Sequence, residues 1–134
     1  MSTPHAGGCH CRAVRFEVEL DLKSPVSRCN CTLCTKRSSS NALVKPSAFR
    51  LLAGADCLGD YEWGGKTMHF HFCKCCGIHV FARGNIPELG GEFVTVNVLC
   101  IDDLDPKVLT FVYWDGRHNN WDAGPREKPW PVTP

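Results

Sequence analysis

Apolar and polar residues alternate with a period of two through much of the chain, and no window carries a helical apolar stripe over three turns. In residues 13–20, Val14, Phe16, Val18 and Leu20 fall on one side and Arg15, Glu17 and Glu19 on the other, the signature of a half-buried strand. Residues 66–72 repeat it, with Met68, Phe70 and Phe72 opposite Thr67, His69 and His71. Residues 93–99 and 108–113 are rich in β-branched and aromatic side chains and also read as strands. Shorter strands are predicted at 41–44, 49–53, 58–63 and 78–83, and residues 45–49 admit a single helical turn. Breaks fall at Gly54, Gly64, Gly65, Gly84, Pro87, Gly90, Gly91 and Pro106. This pattern predicts an almost all-β domain of short, twisted sheets. At 134 residues the chain has the length of one domain. From Gly116 onward it becomes polar and rich in proline, and Trp121 and Trp130 predict an ordered tail pinned by its aromatics rather than a second domain.

The 15 basic and 14 acidic residues nearly cancel, which leaves no bulk electrostatic footprint for nucleic acid or an anionic membrane. The 10 cysteines change the picture, because that number needs either disulfides or metal. Residues 1–8 carry no basic n-region and no apolar h-region, and no later stretch approaches a membrane span. A cytoplasmic setting is therefore expected, where thiols stay reduced and metal is favoured. Cys-x-Cys and Cys-x-x-Cys spacings also chelate an ion more readily than they close a disulfide.

The cysteines fall into three clusters: Cys9-His10-Cys11, Cys29-Asn30-Cys31-Thr32-Leu33-Cys34, and Cys73-Lys74-Cys75-Cys76-Gly77. The third has the form of a zinc knuckle, and Cys9 with Cys11 supplies the second pair for a four-thiolate site. Such a closed shell is structural, since no coordination position is left for chemistry. Cys73-x-Cys75 is an alternative chelate, although the following glycine and the wider bite favour Cys76. The middle cluster offers three thiolates and no local fourth. That is the donor count of a catalytic zinc with one open position, unless a distant His or Cys closes it as a second structural site. Arg28, Lys36 and Arg37 surround it and would balance the negative charge of three thiolates or hold an anionic substrate. Cys57 and Cys100 lack close partners and read as small core residues. His69 and His71 read as solvent-facing rather than as ligands. Among His69, His71 and His79, spacing singles out no general acid or base.

These motifs, quoted as Gly8-Cys9-His10-Cys11, Cys29-Asn30-Cys31-Thr32-Leu33-Cys34 and Phe72-Cys73-Lys74-Cys75-Cys76-Gly77, resemble the glutathione-dependent formaldehyde-activating enzyme (GFA) family, also described as the CENP-V/GFA domain. The resemblance runs roughly over residues 5–115. It implies a mainly β, zinc-stabilised, Mss4-like fold of several short coiled antiparallel sheets. It implies a structural zinc on Cys9, Cys11, Cys73 and Cys76, and a catalytic zinc on Cys29, Cys31 and Cys34. The implied activity is that of a carbon–sulfur lyase joining formaldehyde to glutathione. Glutathione carries two carboxylates, for which Arg28, Lys36, Arg37 and Arg83 are candidate contacts.

Two rival readings come from other classes. The Mss4-like fold also serves as a non-enzymatic scaffold, and ligand count discriminates: four plus four thiolates favours a scaffold, four plus three an enzyme. A nucleic-acid-binding zinc ribbon is disfavoured by the balanced charge.

Overall fold

The computed structural model describes residues 2–63 and 67–133. The predicted turn at Gly64 and Gly65, with Lys66 at the start of the second alternating run, lies outside the described residues.

Among the described residues, ten strands form two sheets. The smaller contains β1 (Thr3–Gly8), β2 (Arg15–Leu20) and β5 (Phe49–Ala53), with β2 in the centre. The larger contains β3 (Val26–Cys29), β4 (Asn41–Val44), β6 (Leu58–Glu62), β7 (Met68–Cys73), β8 (His79–Ile86), β9 (Gly91–Asn97) and β10 (Phe111–Trp114). Its order is β10-β3-β4-β9-β8-β7-β6. The mainly β expectation holds, with one departure from antiparallel pairing: β10 runs parallel to β3, from Phe111 beside Val26 to Trp114 beside Cys29.

Val14, Phe16, Val18 and Leu20 are all buried, as the alternation in β2 requires. Phe16 stacks on Phe49 at 5.6 Å between ring centroids, and Phe49 meets Phe81 at 4.6 Å. Since Phe81 belongs to β8, this aromatic row joins the two sheets in one core.

Several elements differ from the sequence pattern. β1 pairs with β2 along its length, from Thr3 opposite Leu20 to Gly8 opposite Arg15, although its Pro, His and Gly give no strand signal. The run at 93–99 leaves the sheet at Val98, where a 3₁₀ turn (Val98–Cys100) begins under the Asn97 side-chain cap on the Leu99 amide. The run at 108–113 shortens to β10, because Pro106 opens another 3₁₀ turn (Pro106–Val108) capped by Asp105. A six-residue helix, α1 (Thr32–Arg37), follows β3 with no buried residue of its own, so it is too short and too exposed to leave an apolar stripe. His71 does not face solvent: it lies opposite Phe81 in the β7–β8 register and packs on that ring at 4.9 Å.

The C-terminal segment folds back on β10. Tyr113 and Arg126 exchange backbone hydrogen bonds, and Trp130 Nε1 donates to the Tyr113 carbonyl at 2.8 Å. Among the described residues, no helix is long and apolar enough to cross a membrane.

Candidate metal centres

The first centre gathers cysteines from near the start and from the middle of the sequence. Cys9 follows the last residue of β1, and the loop after it closes with Cys9 N–H donating to Val14 O. Cys73 is the last residue of β7, and Gly77, at φ +79°, turns the knuckle so that its N–H reaches Cys73 O at 2.8 Å. The Sγ atoms of Cys9, Cys11, Cys73 and Cys76 all lie within 4.8 Å of one another. The Cys9–Cys11 and Cys11–Cys73 separations are both 3.6 Å. Tetrahedral zinc with Zn–S bonds of about 2.3 Å has S···S edges of about 3.8 Å, so the cage has the dimensions zinc requires. Backbone N–H groups point at the sulfurs, from Val14 to Cys9 and from Cys75 to Cys73, both at 3.3 Å. Cys75 thus contributes an amide here, and its own sulfur is outside the group.

The thiols of this cage are unequal in acidity. The Cys11 amide, aided by that of Ile78, brings Cys76 down to about 6. Cys73 is lowered too, chiefly by the Cys76 amide. Cys11 receives an amide hydrogen bond from Ala13 that favours its thiolate, but the adjoining Cys9 and Cys73 sulfurs outweigh it and push Cys11 up to about 12. Four thiolates this close do not all ionise unless a cation sits among them.

The second centre sits at one strand-to-helix turn. Cys29 ends β3, Cys31 is the N-cap of α1, and Cys34 lies in the helix's first turn. Their sulfurs also lie within 4.8 Å of one another. The Cys31 N–H reaches Cys29 Sγ at 3.4 Å and the Cys34 N–H reaches Cys31 Sγ at 3.3 Å. The capping role that Ser or Asp usually fills is therefore played by a thiolate ligand candidate. Hydrogen bonds from Cys29 and Cys34 hold the Cys31 thiol far below its ordinary range, while Cys29 and Cys31 push Cys34 up. Among the described residues, no fourth His, Cys, Asp or Glu joins these three sulfurs.

Of the basic residues singled out from the sequence, Arg37 is closest to the sulfurs: its Nη2 lies 3.8 Å from Cys34 Sγ, and burial lowers its pKa against the pull of the three thiols. Arg28 stacks over Phe111 at 4.1 Å and donates Nε to Ser40 Oγ. Lys36 is exposed on α1. Arg83 is placed elsewhere, over the Phe81 ring and beside a depression of about 280 Å³ that contains no cysteine. A cavity of about 200 Å³ opens beside the second centre, lined by Arg28, Cys29, Cys34, Trp114, Trp130 and Val132 among others. The C-terminal segment is thus one of its walls. A larger depression of about 490 Å³, between β2 and β4, also lacks cysteine; Ser27 and Asn41 are among its lining residues.

Residues that the sequence did not single out hold the second centre in place. Asn30 donates Nδ2 to Asp115 Oδ1 at 2.8 Å and accepts from the Arg117 N–H, while Arg117 Nε donates to the Asn30 carbonyl. Asp115 is 4 % exposed, and its carboxylate also meets His118 and Asn120. Burial alone would raise its pKa, yet these hydrogen bonds keep it below the usual carboxylate range. Gly116 presses on Cys29: a Cβ there would lie 2.5 Å from the sulfur. The position of Asn30 between two clustered cysteines was the one local hint; Asp115 and Gly116 are distant in sequence and gave none. A third group sets the exposed Asp60 and Glu62 beside a half-buried His69 and is centred on a His69–Asp60 ion pair at 2.9 Å, which raises the His69 pKa.

With this geometry in view, comparison with known proteins is direct. Residues 4–114 match the family described as glutathione-dependent formaldehyde-activating enzyme. A crystal structure of a Rhodobacter sphaeroides protein superposes with a TM-score of 0.68 at 31 % sequence identity, covering 94 % of this chain and 99 % of that one.

Proposed function

The chain belongs to the glutathione-dependent formaldehyde-activating enzyme family, and from that premise we propose that it is a zinc-dependent carbon–sulfur lyase. It joins a thiol such as glutathione to a small aldehyde, or runs the reverse cleavage. The observation that carries this reading is the unequal division of sulfurs, four in one cage and three in the other. A scaffold has no use for an incomplete shell beside a cavity of about 200 Å³. The cage of Cys9, Cys11, Cys73 and Cys76 fits a structural ion, and Cys29, Cys31 and Cys34 fit an ion that keeps one position for substrate.

A zinc held by Cys29, Cys31 and Cys34 would supply a Lewis acid that lowers the pKa of a substrate thiol. The protein's own groups do the rest. Arg37 offsets the negative charge gathered by three thiolates. Arg28, on the cavity wall, and Lys36, exposed on α1, are the contacts proposed for the carboxylates of a glutathione-like thiol. Trp114 and Trp130 bound the cavity and limit water around the reacting atoms. In the addition, one C–S bond forms as the carbonyl π bond breaks, and the thiol proton ends on the carbonyl oxygen.

Cys31→Ser is the sharpest variant, because serine keeps the N-cap of α1 while removing a thiolate. It is expected to bind one zinc fewer, stay folded by circular dichroism, and lose formation of S-hydroxymethylglutathione from glutathione and formaldehyde. Retained turnover after loss of that zinc would refute the assignment, and unfolding would make the second centre structural.

A further inference from the structure

Three buried side-chain atoms have no hydrogen-bond partner among the described residues: Arg37 Nη1, Asn41 Oδ1 and His79 Nε2. Buried polar atoms are nearly always paired, so three together call for a ligand or a water. They belong to one connected group. Arg37 Nε and Asn41 Nδ2 both donate to Ser39 Oγ, at 3.0 and 3.1 Å, and Ser39 is 4 % exposed. The Phe70 ring lies 4.7 Å beneath the Arg37 guanidinium and 6.4 Å from the His79 ring. His79 itself is 9 % exposed. The second guanidinium nitrogen, Nη2, is the one that reaches Cys34 Sγ at 3.8 Å. The Arg37 guanidinium thus touches both Ser39, which it shares with Asn41, and the three-sulfur centre.

We propose that Arg37, Asn41 and His79 form an oxygen subsite that holds the hydroxyl of a hydroxymethyl thioether, the adduct of a thiol with a small aldehyde. This deepens the function proposed above and rests on it. Arg37 only donates, and Asn41 Oδ1 only accepts, because the amide nitrogen of Asn41 is used on Ser39. A carbonyl or a carboxylate only accepts and would leave Asn41 Oδ1 unpaired. A hydroxyl accepts from Arg37 and donates to Asn41 at once. Burial and the nearby Arg37 charge keep the His79 ring neutral, with its pKa lowered to about 3, so it offers a hydrogen-bonding nitrogen without a competing charge. Adduct sulfur at the three-cysteine centre and adduct oxygen in this subsite flank a single carbon.

The test compares two ligands by calorimetry on zinc-loaded protein: glutathione alone, and glutathione equilibrated with excess formaldehyde. Asn41→Leu keeps the volume and removes the acceptor. It is expected to lose roughly ten- to hundredfold in affinity for the adduct, the size of one buried hydrogen bond, with glutathione affinity changed less than about twofold. Asn41→Asp, which keeps an acceptor oxygen, is expected to retain adduct binding. Should Asn41→Leu fail to fold, Arg37→Lys provides the same reading, a fall in the adduct-to-glutathione affinity ratio. An unchanged ratio in these variants, with wild type binding both ligands, overturns the subsite and leaves a buried water only. Wild type binding neither ligand overturns the proposed function and the subsite with it.

Discussion

Gly116→Ala is a one-methyl test of the second centre. Gly116 is not at a positive φ, so alanine adds no backbone strain there and its effect is steric. The new Cβ would sit 2.5 Å from Cys29 Sγ and 2.8 Å from the Trp121 ring. Ordinary heavy-atom contacts lie at about 3.5–4.0 Å, so relief requires a displacement of about 1 Å, and the two neighbours leave little room to share it. A thiolate ligand tolerates about 0.2 Å of departure from ideal metal distance. The methyl therefore dislodges Cys29 from the tetrahedron. Overpacking of this kind costs about 1–3 kcal/mol, which corresponds to a roughly 5- to 150-fold loss of affinity for one ion. Chelator competition on purified protein would read two classes of zinc, with only the weaker class shifted and the four-cysteine cage unchanged. Two ions bound with wild-type affinities would refute the reasoning, because Gly116 would then not press on a ligand.

Other outcomes follow from the same coordinates. Cys73→Ser is expected to abolish folding, since structural zinc sites contribute about 10–16 kcal/mol in small peptides and the whole stability of a domain is about 5–15 kcal/mol; soluble, cooperatively melting protein would count against a structural cage at Cys73, which is fully buried. His79 has its pKa lowered by burial to about 3, so between the unfolded value near 6.5 and that pH the unfolded chain binds the extra proton and stability falls with acidification. At pH 5 this removes about 2 kcal/mol relative to pH 7, and denaturant melts of His79→Gln at both pH values should show that increment missing from the acid loss. Trp130→Ala removes a cavity wall and the Nε1 bond to Tyr113 while touching no sulfur, so KM for the thiol should rise with zinc content unchanged.

Much of this organisation is legible in the sequence, for identifiable reasons. Period-two alternation set the β2 core face because Val14, Phe16, Val18 and Leu20 face one packed layer. The sulfur sets were legible because chelation depends on short local spacing, and the structure brings Cys9 and Cys11 together with Cys73 and Cys76. What stayed hidden depends on partners distant in the chain. β1 is a strand because β2 offers it an edge, whatever its own propensity. α1 is a single capped turn whose N-cap is a cysteine, which reads from sequence as a metal ligand and not as a helix start. Asp115 and Gly116 act on residues 29 and 30 only because β10 runs parallel to β3 and delivers the loop after Trp114 to the cysteine turn. His71 reads as solvent-facing from alternation alone, but its cross-strand neighbour is Phe81, and burial lowers its pKa.

On the proposed assignment, seven cysteines divide four and three, and the three leave a corner for a thiol. Cobalt substitution followed by glutathione titration tests it most directly, because thiolate ligation is visible in the cobalt spectrum. Two equivalents of cobalt are expected to bind, with one equivalent of glutathione perturbing one site and no perturbation in Cys31→Ser. A spectrum unchanged by glutathione with both ions bound would contradict it.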